Sequence, residues 1–367
     1  MNVNVTERDT HTPVDLTIVD CDIHPGMAPG ELTPFLPKRW QEHMAVYGSF
    51  FRNGVKNAPT THFRMAPDTA RADSWPPSGR PPGADLDFMR AQHLDAYGIE
   101  YGILIPLRVG PGAQRNLEFG AALASALNDW QLATWIEKEK RFRGSIVVTP
   151  DDTEAAVKEI ERLAPDRRYV QLHIPPKTDE PLGRKRYWPI FQAAVDHDLP
   201  LSCHVGGLSG HPVTGAGWPS FYLEDQHSNV QSMQAMLAGL VLEGAFERFP
   251  KLRVVLVEAG FAWVPAFCWR MDKHWERMRD EVPHLKRKPS EYVREHVWFT
   301  TQPIDEPNDN AHLAEITEWV GYDRIMFSTD YPHWDFDDPR FAFKGSLSAE
   351  NREKIFRMNA KVFYGLD

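Results

Sequence analysis

Apolar, β-branched runs recur along the chain, and the segments between them carry apolar residues at helical spacing. Side chains two residues apart share a face of a strand, whereas those three or four apart share a face of a helix. Eight runs are predicted as strands: 17–24, 99–107, 142–149, 169–174, 199–205, 252–258, 297–301 and 325–330. The predicted helices are 85–97, 116–139, 152–163, 187–198, 224–248, 263–279, 309–320 and 348–364. This alternation predicts an α/β fold, the (β/α)8 TIM barrel.

Two loops interrupt the alternation. Residues 25–84 are rich in Pro, Gly, Arg and aromatic residues, which predicts a long insertion over the barrel mouth. Residues 206–221 include Gly206-Gly207, a pattern that fits either an active-site loop or a surface excursion. We further expect a flexible N-terminus over 1–16 and a single domain over 17–367. A Rossmann-like open sheet is the alternative fold, but no Gly-x-Gly-x-x-Gly follows the first strand, where dinucleotide phosphates would need it.

Composition narrows the class of protein. The 367 residues are 42% hydrophobic, which is ample for a large core, and the formal charge of −10 argues against nucleic acid or an anionic membrane as a partner. We expect no secretory signal and no membrane span, because no apolar stretch approaches the roughly 20 residues that cross a bilayer. Cys21, Cys203 and Cys268 lie in apolar patterns, so we expect reduced thiols and a cytoplasmic location.

Polar side chains follow the predicted strands where each strand ends. We expect Asp20, Asp22 and His24 to point to the same side of the first strand, because they are two residues apart. The groups at strand ends are Asp22, His24, His173, His204, Glu258, Asp330 and His333. Active sites of TIM barrels lie at the C-terminal ends of the strands. The sequence therefore predicts that these imidazoles and carboxylates converge at one mouth.

Several carboxylates buried together raise one another's pKa, and a cation would relieve that cost. We predict one or two divalent metal ions, Fe, Mn or Zn, and the number of ligands favours two. The predicted ligands are Asp22, His24, His173, His204, Glu258 and Asp330. Of these, Asp330, Glu258 and His204 are predicted to be catalytic. The structural alternative for each is a capped strand end, a histidine bonded to a backbone carbonyl, or a glutamate paired with arginine.

Substrate-binding candidates lie on other segments. His211 lies in the loop 206–221, and His227 in the helix 224–248. Arg270 shares a helical stripe with apolar residues, so it is predicted to pair with a carboxylate, either of the protein or of a substrate. His333 follows the last strand. For His211, His227 and Arg270 a structural role is the alternative.

Five motifs together carry a family resemblance. They are Asp20-Cys21-Asp22-Ile23-His24-Pro25, Asn128-Asp129-Trp130, Cys203-His204-Val205-Gly206, Phe246-Glu247-Arg248-Phe249-Pro250 leading into Glu258-Ala259-Gly260, and Ser328-Thr329-Asp330-Tyr331-Pro332-His333. Over nearly its whole length the sequence resembles the amidohydrolase superfamily, in the amidohydrolase-related branch that includes aminocarboxymuconate-semialdehyde decarboxylase and the resorcylate-type decarboxylases.

The resemblance implies roles for single residues. Asp22 and His24 would fill the family's first-strand metal pair, His204 the fifth-strand ligand, and Asp330 the eighth-strand aspartate, which can double as a base. Where the decarboxylase members carry a histidine at the end of the sixth strand, this chain has Glu258. Other superfamily members hold dinuclear iron or manganese/iron centres and hydroxylate carbon with dioxygen. The predicted ligand set, which includes Glu258, resembles the sites of those enzymes.

Four functions follow, in order of preference. The first is hydrolysis of a small carboxylate, amide or ester by a metal-activated water. The second is a dinuclear Fe or Mn/Fe monooxygenase, the third a metal-dependent decarboxylase, and the fourth a non-catalytic partner subunit. In each enzymatic case the partner is a small-molecule substrate. We also expect a homo-oligomer or a complex with a related chain.

Overall fold

Eight parallel strands form the centre of the molecule, a computed structural model that describes residues 17–48, 69–107, 110–206, 214–343 and 347–367. The strands are β1 (Ile18–Ile23), β2 (Ile99–Leu104), β3 (Phe142–Val147), β4 (Tyr169–Ile174), β5 (Leu201–His204), β6 (Val254–Val257), β7 (Val297–Thr300) and β8 (Ile325–Met326). Each pairs with the next in chain order. The Cys21 N–H donates to the Phe327 carbonyl at 3.0 Å and the His24 N–H to the Tyr331 carbonyl at 2.8 Å, which brings β8 back to β1. The predicted TIM barrel is confirmed.

Helices follow the strands and pack around them. They are α1 (Lys38–Tyr47), α2 (Leu86–Met89), α3 (Leu117–Gln131), α4 (Thr153–Leu163), α5 (Trp188–Asp196), α6 (Tyr222–Leu242), α7 (Ala245–Arg248), α8 (Val264–Met278), α9 (Pro289–His296), α10 (Asn310–Val320), α11 (Ala349–Glu353) and α12 (Asn359–Tyr364). Segments of π-helix at Arg90–Asp95, Leu132–Ile136 and Lys354–Met358 extend α2 and α3 and join α11 to α12. Of the described helices, none is both long enough and apolar enough to cross a bilayer.

Three differences separate the predicted helices from the observed ones. The predicted helix 224–248 is two helices, because Gly244 between α6 and α7 has a φ of +80°, which ends a right-handed helix. The helices α1 and α9 were not predicted. Helix α1 lies in the insertion, and α9 begins with Pro289 in its first turn, a position that suits proline.

The apolar residues form two layers. An inner core fills the barrel and includes Val19, Ile103, Val170, Val255 and Met326, each 0–5% exposed. An outer core lies between the strands and the helices. In β6, for example, Val255 and Val257 belong to the inner core and Val254 and Leu256 to the outer core, as the period of two requires. All three cysteines are buried free thiols, as the sequence predicted.

The described part of the insertion, 25–48 and 69–84, borders the ends of β1 and β8. Ala70 forms an antiparallel bridge with His333, and the Arg71 N–H donates to the Pro332 carbonyl at 2.9 Å. A Cβ atom on Gly26 would lie 2.3 Å from the Pro82 carbonyl oxygen, so the returning chain requires glycine there. These described residues therefore lie against the segment that follows β8, and an insertion over the whole mouth stays a prediction. Residues 1–16 lie outside the described residues, and the single domain stays a prediction.

Candidate metal centre and active site

Four of the predicted ligands meet at the C-terminal ends of three strands. Asp22 belongs to β1, His24 follows it, His204 ends β5, and Asp330 follows β8. Each offers one ligand atom, and these atoms all lie within 4.8 Å of one another. The four residues are between 0 and 5% exposed. Four of the seven groups at strand ends thus lie together at the mouth, although Asp22 and Asp330 are 308 positions apart in the chain.

Backbone carbonyls fix the orientation of the two imidazoles. The His24 Nδ1–H donates to the Ile105 carbonyl at 2.8 Å, and the His204 Nδ1–H donates to the Val205 carbonyl at 2.7 Å. In a neutral imidazole this leaves the lone pair on Nε2. Nε2 of His24 lies 3.2 Å from Asp22 Oδ1 and 2.8 Å from Asp330 Oδ1. The lone pair of this nitrogen therefore faces carboxylate oxygens.

The polar atoms of this group fit a divalent cation. Among the described residues, neither oxygen of Asp22 and neither Nε2 of His24 and His204 has a hydrogen-bond partner. A buried polar atom without a partner costs about 1–3 kcal/mol, and more when it is charged. Imidazole nitrogen and carboxylate oxygen are the ligands that Zn, Mn and Fe accept. A metal-binding histidine commonly donates its other ring N–H to a carbonyl or a carboxylate, as both do here.

Two residues of the mouth adopt a backbone conformation that is rare for side chains with a Cβ atom. Glu258 has a φ of +56° and Asp330 a φ of +62°. Such left-handed residues cost on the order of 1–3 kcal/mol each and persist where the surroundings hold them. The left-handed Glu258 also explains why β6 ends at Val257, one residue before the end of the predicted strand 252–258. The turn at each residue directs its carboxylate into the mouth.

Asp330 is ionised despite its burial. Burial by itself raises the pKa of Asp330, but His333 and His24 outweigh it and hold the pKa well below its ordinary range. The His333 Nδ1 lies 2.6 Å from Asp330 Oδ1. Burial lowers the pKa of His204, but the neighbouring Asp22 outweighs this effect, so the pKa is raised overall. The neighbouring imidazoles therefore favour the ionised form of Asp330, which is the form that binds a cation.

A group of three carboxylates adjoins the four predicted ligands and shares Asp330 with them. Glu258, Asp330 and Asp335 also place ligand atoms within 4.8 Å of one another. Burial and then Asp330 raise the pKa of Glu258 well above its ordinary range, and the same causes raise the pKa of Asp335 to about 7. Asp335 was missed by the sequence analysis. Its position five residues after Asp330, in the turn that follows the last strand, was the available signal.

His173 lies beside the group of four without belonging to it. Its ring centroid is 6.3 Å from that of His204. Burial, followed by His204 and His24, lowers the pKa of His173 to about 3, so the ring is neutral. Its Nδ1 has no hydrogen-bond partner within the described ranges. The role of His173 as a ligand stays a prediction.

The substrate-binding candidates fall in different places. His333 borders the centre, and its ring centroid lies 4.5 Å from that of His24. His227 is exposed on α6, and Arg270 is exposed on α8, whose buried face carries Cys268 and Met271 instead. His211 lies outside the described residues. The roles of these four residues stay predictions.

Asp20 does not share the face of Asp22, so that expectation was wrong. The register of β1 against β2 shifts between Asp20 and Ile23, and the shift interrupts the strict alternation of side chains. Asp20 Oδ2 instead lies 2.8 Å from Nε2 of His93, a residue of the helical layer. No local pattern could have indicated this pair, because 73 positions separate its members.

Comparisons with known proteins agree with this architecture. Among curated proteins, the chain is 26% identical over 302 residues to the gamma-resorcylate decarboxylase of Polaromonas sp. (strain JS666), and the match covers 77% of this chain and 88% of the relative. Among solved structures, an amidohydrolase from Mycobacterium avium subsp. paratuberculosis K-10 has a TM-score of 0.74 and 21% identity, with 96% of this chain and 100% of that chain covered.

A second solved structure carries a metal. It is a dihydroxybenzoic acid decarboxylase from Polaromonas sp. JS666 with bound manganese and the inhibitor 2-nitroresorcinol, and it matches with a TM-score of 0.68 and 20% identity, covering 95% of this chain and 97% of that chain. At these identities the structural likenesses show the fold. The amidohydrolase family model matches residues 19–366, from the first strand to the last helix. The chain therefore belongs to the amidohydrolase family.

Proposed function

We propose that this amidohydrolase-family enzyme is a metal-dependent decarboxylase that releases CO₂ from a small hydroxylated aromatic carboxylate. The observation that carries the proposal is the group Asp22, His24, His204 and Asp330, whose buried ligand atoms face one another. The similarity to a gamma-resorcylate decarboxylase, over 88% of that relative, supports the reaction. It favours decarboxylation, which the sequence analysis ranked third, over hydrolysis, which it ranked first.

The proposed cation is held by Asp22, His24, His204 and Asp330. Manganese is the first metal to test, because a decarboxylase with this fold binds it. A bound divalent cation would polarise oxygen atoms of the substrate and compensate the charge of the carboxylates. The two imidazoles are oriented in advance by the Ile105 and Val205 carbonyls, so they need not reorganise to accept the cation.

Decarboxylation replaces the bond from the ring carbon to the carboxyl carbon with a bond to hydrogen. A proton reaches the ring carbon, and the electron pair of the broken bond returns to the ring as CO₂ leaves. We assign the transfer of this proton to Glu258. Its Oε2 lies 3.2 Å from His204 Nε2, and its side chain is 10% exposed, so it borders both the buried group and the open mouth. Glu258 would thus take the place of the histidine found in the decarboxylases that this sequence resembles.

Reconstituted enzyme provides the test. Metal-free protein loaded with Mn²⁺ and incubated with gamma-resorcylate and a panel of other ortho-hydroxylated benzoates should release CO₂. In D₂O the product should carry one deuterium on the vacated ring carbon. The Glu258→Gln variant should bind Mn²⁺ and lose turnover. Protein that binds Mn²⁺ but releases no CO₂ from any member of the panel would contradict the proposed reaction.

A second candidate function is the dinuclear Fe or Mn/Fe monooxygenase. One observation favours it: Glu258 and Asp335 form a further group that shares Asp330 with the first, as a bridging carboxylate would require. The number of metal ions per chain separates the candidates. Two iron or manganese ions and substrate-dependent consumption of dioxygen would support the oxygenase, whereas one ion and release of CO₂ without dioxygen would support the decarboxylase.

A further inference from the structure

Asp20 lies two residues before Asp22, yet its carboxylate belongs to a separate network below the metal centre. The side chain is fully buried. Its Oδ1 accepts hydrogen bonds from the Asp22 N–H at 3.2 Å and the Thr329 N–H at 3.0 Å. Its Oδ2 accepts from the Thr329 hydroxyl at 2.6 Å and from His93 Nε2 at 2.8 Å. A carboxylate has about four acceptor positions, and all of them are used here.

These contacts join the two strands that supply the carboxylate ligands. One oxygen atom, Asp20 Oδ1, binds the backbone N–H of Asp22 on β1 and that of Thr329, the residue before Asp330. The distance between the Asp22 and Asp330 carboxylates therefore depends on an atom that belongs to neither. Asp20 Oδ1 thus links the backbone at Asp22 to the backbone directly before Asp330.

His93 contacts Tyr331, the residue on the other side of Asp330. Its ring is fully buried and stacks on Tyr331, with centroids 4.5 Å apart and an interplanar angle of 15°. The Tyr331 hydroxyl in turn donates to Gln92 Oε1 at 2.8 Å. Thr329 and Tyr331 are thus both fixed while Asp330, between them, keeps its left-handed backbone. Such a conformation is maintained by contacts of neighbouring residues.

We propose that Asp20 and His93 are positioning residues of the metal centre. They act through Thr329 and Tyr331 to set the Asp22 and Asp330 carboxylates at the spacing that binds a divalent cation. The inference rests on the proposed metal centre and is independent of the reaction catalysed there. Loss of an outer partner of this kind typically lowers metal affinity about 10–100-fold.

The His93→Phe variant tests the inference, because it removes the donor to Asp20 and keeps a ring against Tyr331. Titration of metal-free protein with Mn²⁺ should give a Kd about 10–100-fold higher than that of the wild type. The His93→Gln variant, whose amide can still donate at the position of Nε2, should recover most of the affinity. Thermal unfolding of the metal-free proteins, measured in parallel, reports stability separately.

His296 provides a matched control. It is 3% exposed, donates from Nδ1 to the Leu252 carbonyl at 2.8 Å, and stacks on Phe246 with centroids 4.7 Å apart, but it lies beside the N-terminal end of β7. The His296→Phe variant should lower the unfolding temperature to a similar extent. Its Kd for Mn²⁺ should stay within about twofold of the wild-type value, because distant sites are nearly independent.

A second pair of variants serves if His93→Phe does not fold. Thr329→Val removes the hydroxyl donor to Asp20 Oδ2 and should weaken Mn²⁺ binding, whereas Thr329→Ser keeps the hydroxyl and should bind like the wild type.

Wild-type Kd values in His93→Phe or Thr329→Val, or an equal loss in His296→Phe, would overturn the inference. Wild-type protein that binds Mn²⁺ without releasing CO₂ would remove the proposed reaction and leave the positioning role in place. Wild-type protein that binds no Mn²⁺ would remove both the centre and its positioning residues.

Discussion

The barrel contains two groups of buried polar side chains, which differ in whether their polar atoms have hydrogen-bond partners. In the interior, Tyr364 donates to Gln171 Oε1 at 3.0 Å, Gln171 Nε2 donates to Ser145 Oγ at 2.8 Å, and Ser145 donates to the Leu104 carbonyl at 2.6 Å. At the mouth, Asp22, His24 and His204 keep polar atoms without a partner in the described part of the chain. Both groups are almost completely shielded from solvent.

The difference separates a structural group from a functional one. A chain of hydrogen bonds that satisfies its own members needs nothing else to be stable in the interior. Carboxylates and imidazole lone pairs that face one another destabilise the folded chain unless a cation is added. The interior group therefore contributes to folding, and the mouth group indicates a ligand. Substitutions in the two groups should have opposite effects on stability and activity.

The largest expected effect is that of Asp330→Ala at the mouth. It removes a proposed ligand outright, so the loss of Mn²⁺ affinity and of turnover should exceed the roughly 10–100-fold that outer partners cost. The metal-free variant should still fold, as circular dichroism and thermal unfolding can show. Asp166→Ala, which removes a carboxylate paired with Arg168 before β4, is the matched control and should keep its activity. Full turnover in Asp330→Ala would remove the residue from the centre.

Tyr364→Phe should show the reverse pattern in the interior group. The change leaves Gln171 Oε1 buried without its donor, which should lower the free energy of unfolding by about 1–3 kcal/mol. Urea denaturation measures this loss. Turnover and Mn²⁺ affinity should match those of the wild type, and a large loss of either would show that the two groups are not independent.

The pH dependence of Glu258→Gln sharpens the contrast further. Because burial and neighbouring carboxylates raise the pKa of Glu258, the folded metal-free protein resists its ionisation. This destabilisation is absent below about pH 4, where the unfolded chain is protonated too, and it grows as the pH rises toward the folded-state pKa. The variant should therefore unfold at a higher temperature than the wild type at pH 8 and at the same temperature near pH 4. Added Mn²⁺ should shrink the difference, and an equal gain at both pH values would contradict this explanation.

Arg270→Ala should have the smallest effect, since the residue is exposed on α8. We expect a change in unfolding free energy within about 0.5 kcal/mol and unchanged kcat and KM for the proposed aromatic carboxylate substrate. A rise in KM alone would instead support the predicted role in substrate binding. Steady-state kinetics on the purified variant decides between the two.

Most of the barrel could be predicted, because strands buried on both faces leave unmistakable apolar runs. Helix α1 could not, since Trp40 is its one buried residue and the apolar stripe that marks a helix is almost missing. Helix α9 did carry a signal, a proline in its first turn, that the sequence analysis did not use. The end of β8 was placed too late, because Ser328 and Thr329 bond through side chains instead of continuing the ladder.

The rule that strand ends meet at one mouth was enough to find Asp22, His24, His204 and Asp330. It could not give the orientation of Asp20, which depends on a register shift in β1. The pairing of Asp20 with His93 and with Thr329 links positions 73 and 309 residues apart, and no local pattern encodes such contacts. The sequence thus indicated the four side chains that meet at the mouth, whereas the contacts of Asp20 with His93 and Thr329 required the tertiary structure.

Anomalous diffraction at the manganese edge, from crystals of the protein grown with Mn²⁺, tests the central claim most directly. We expect a manganese peak at the mouth, bonded by the Asp22 and Asp330 carboxylates and by Nε2 of His24 and His204. Crystals that show no peak at this position, or a peak held by other side chains while these four remain apart from it, would contradict the account.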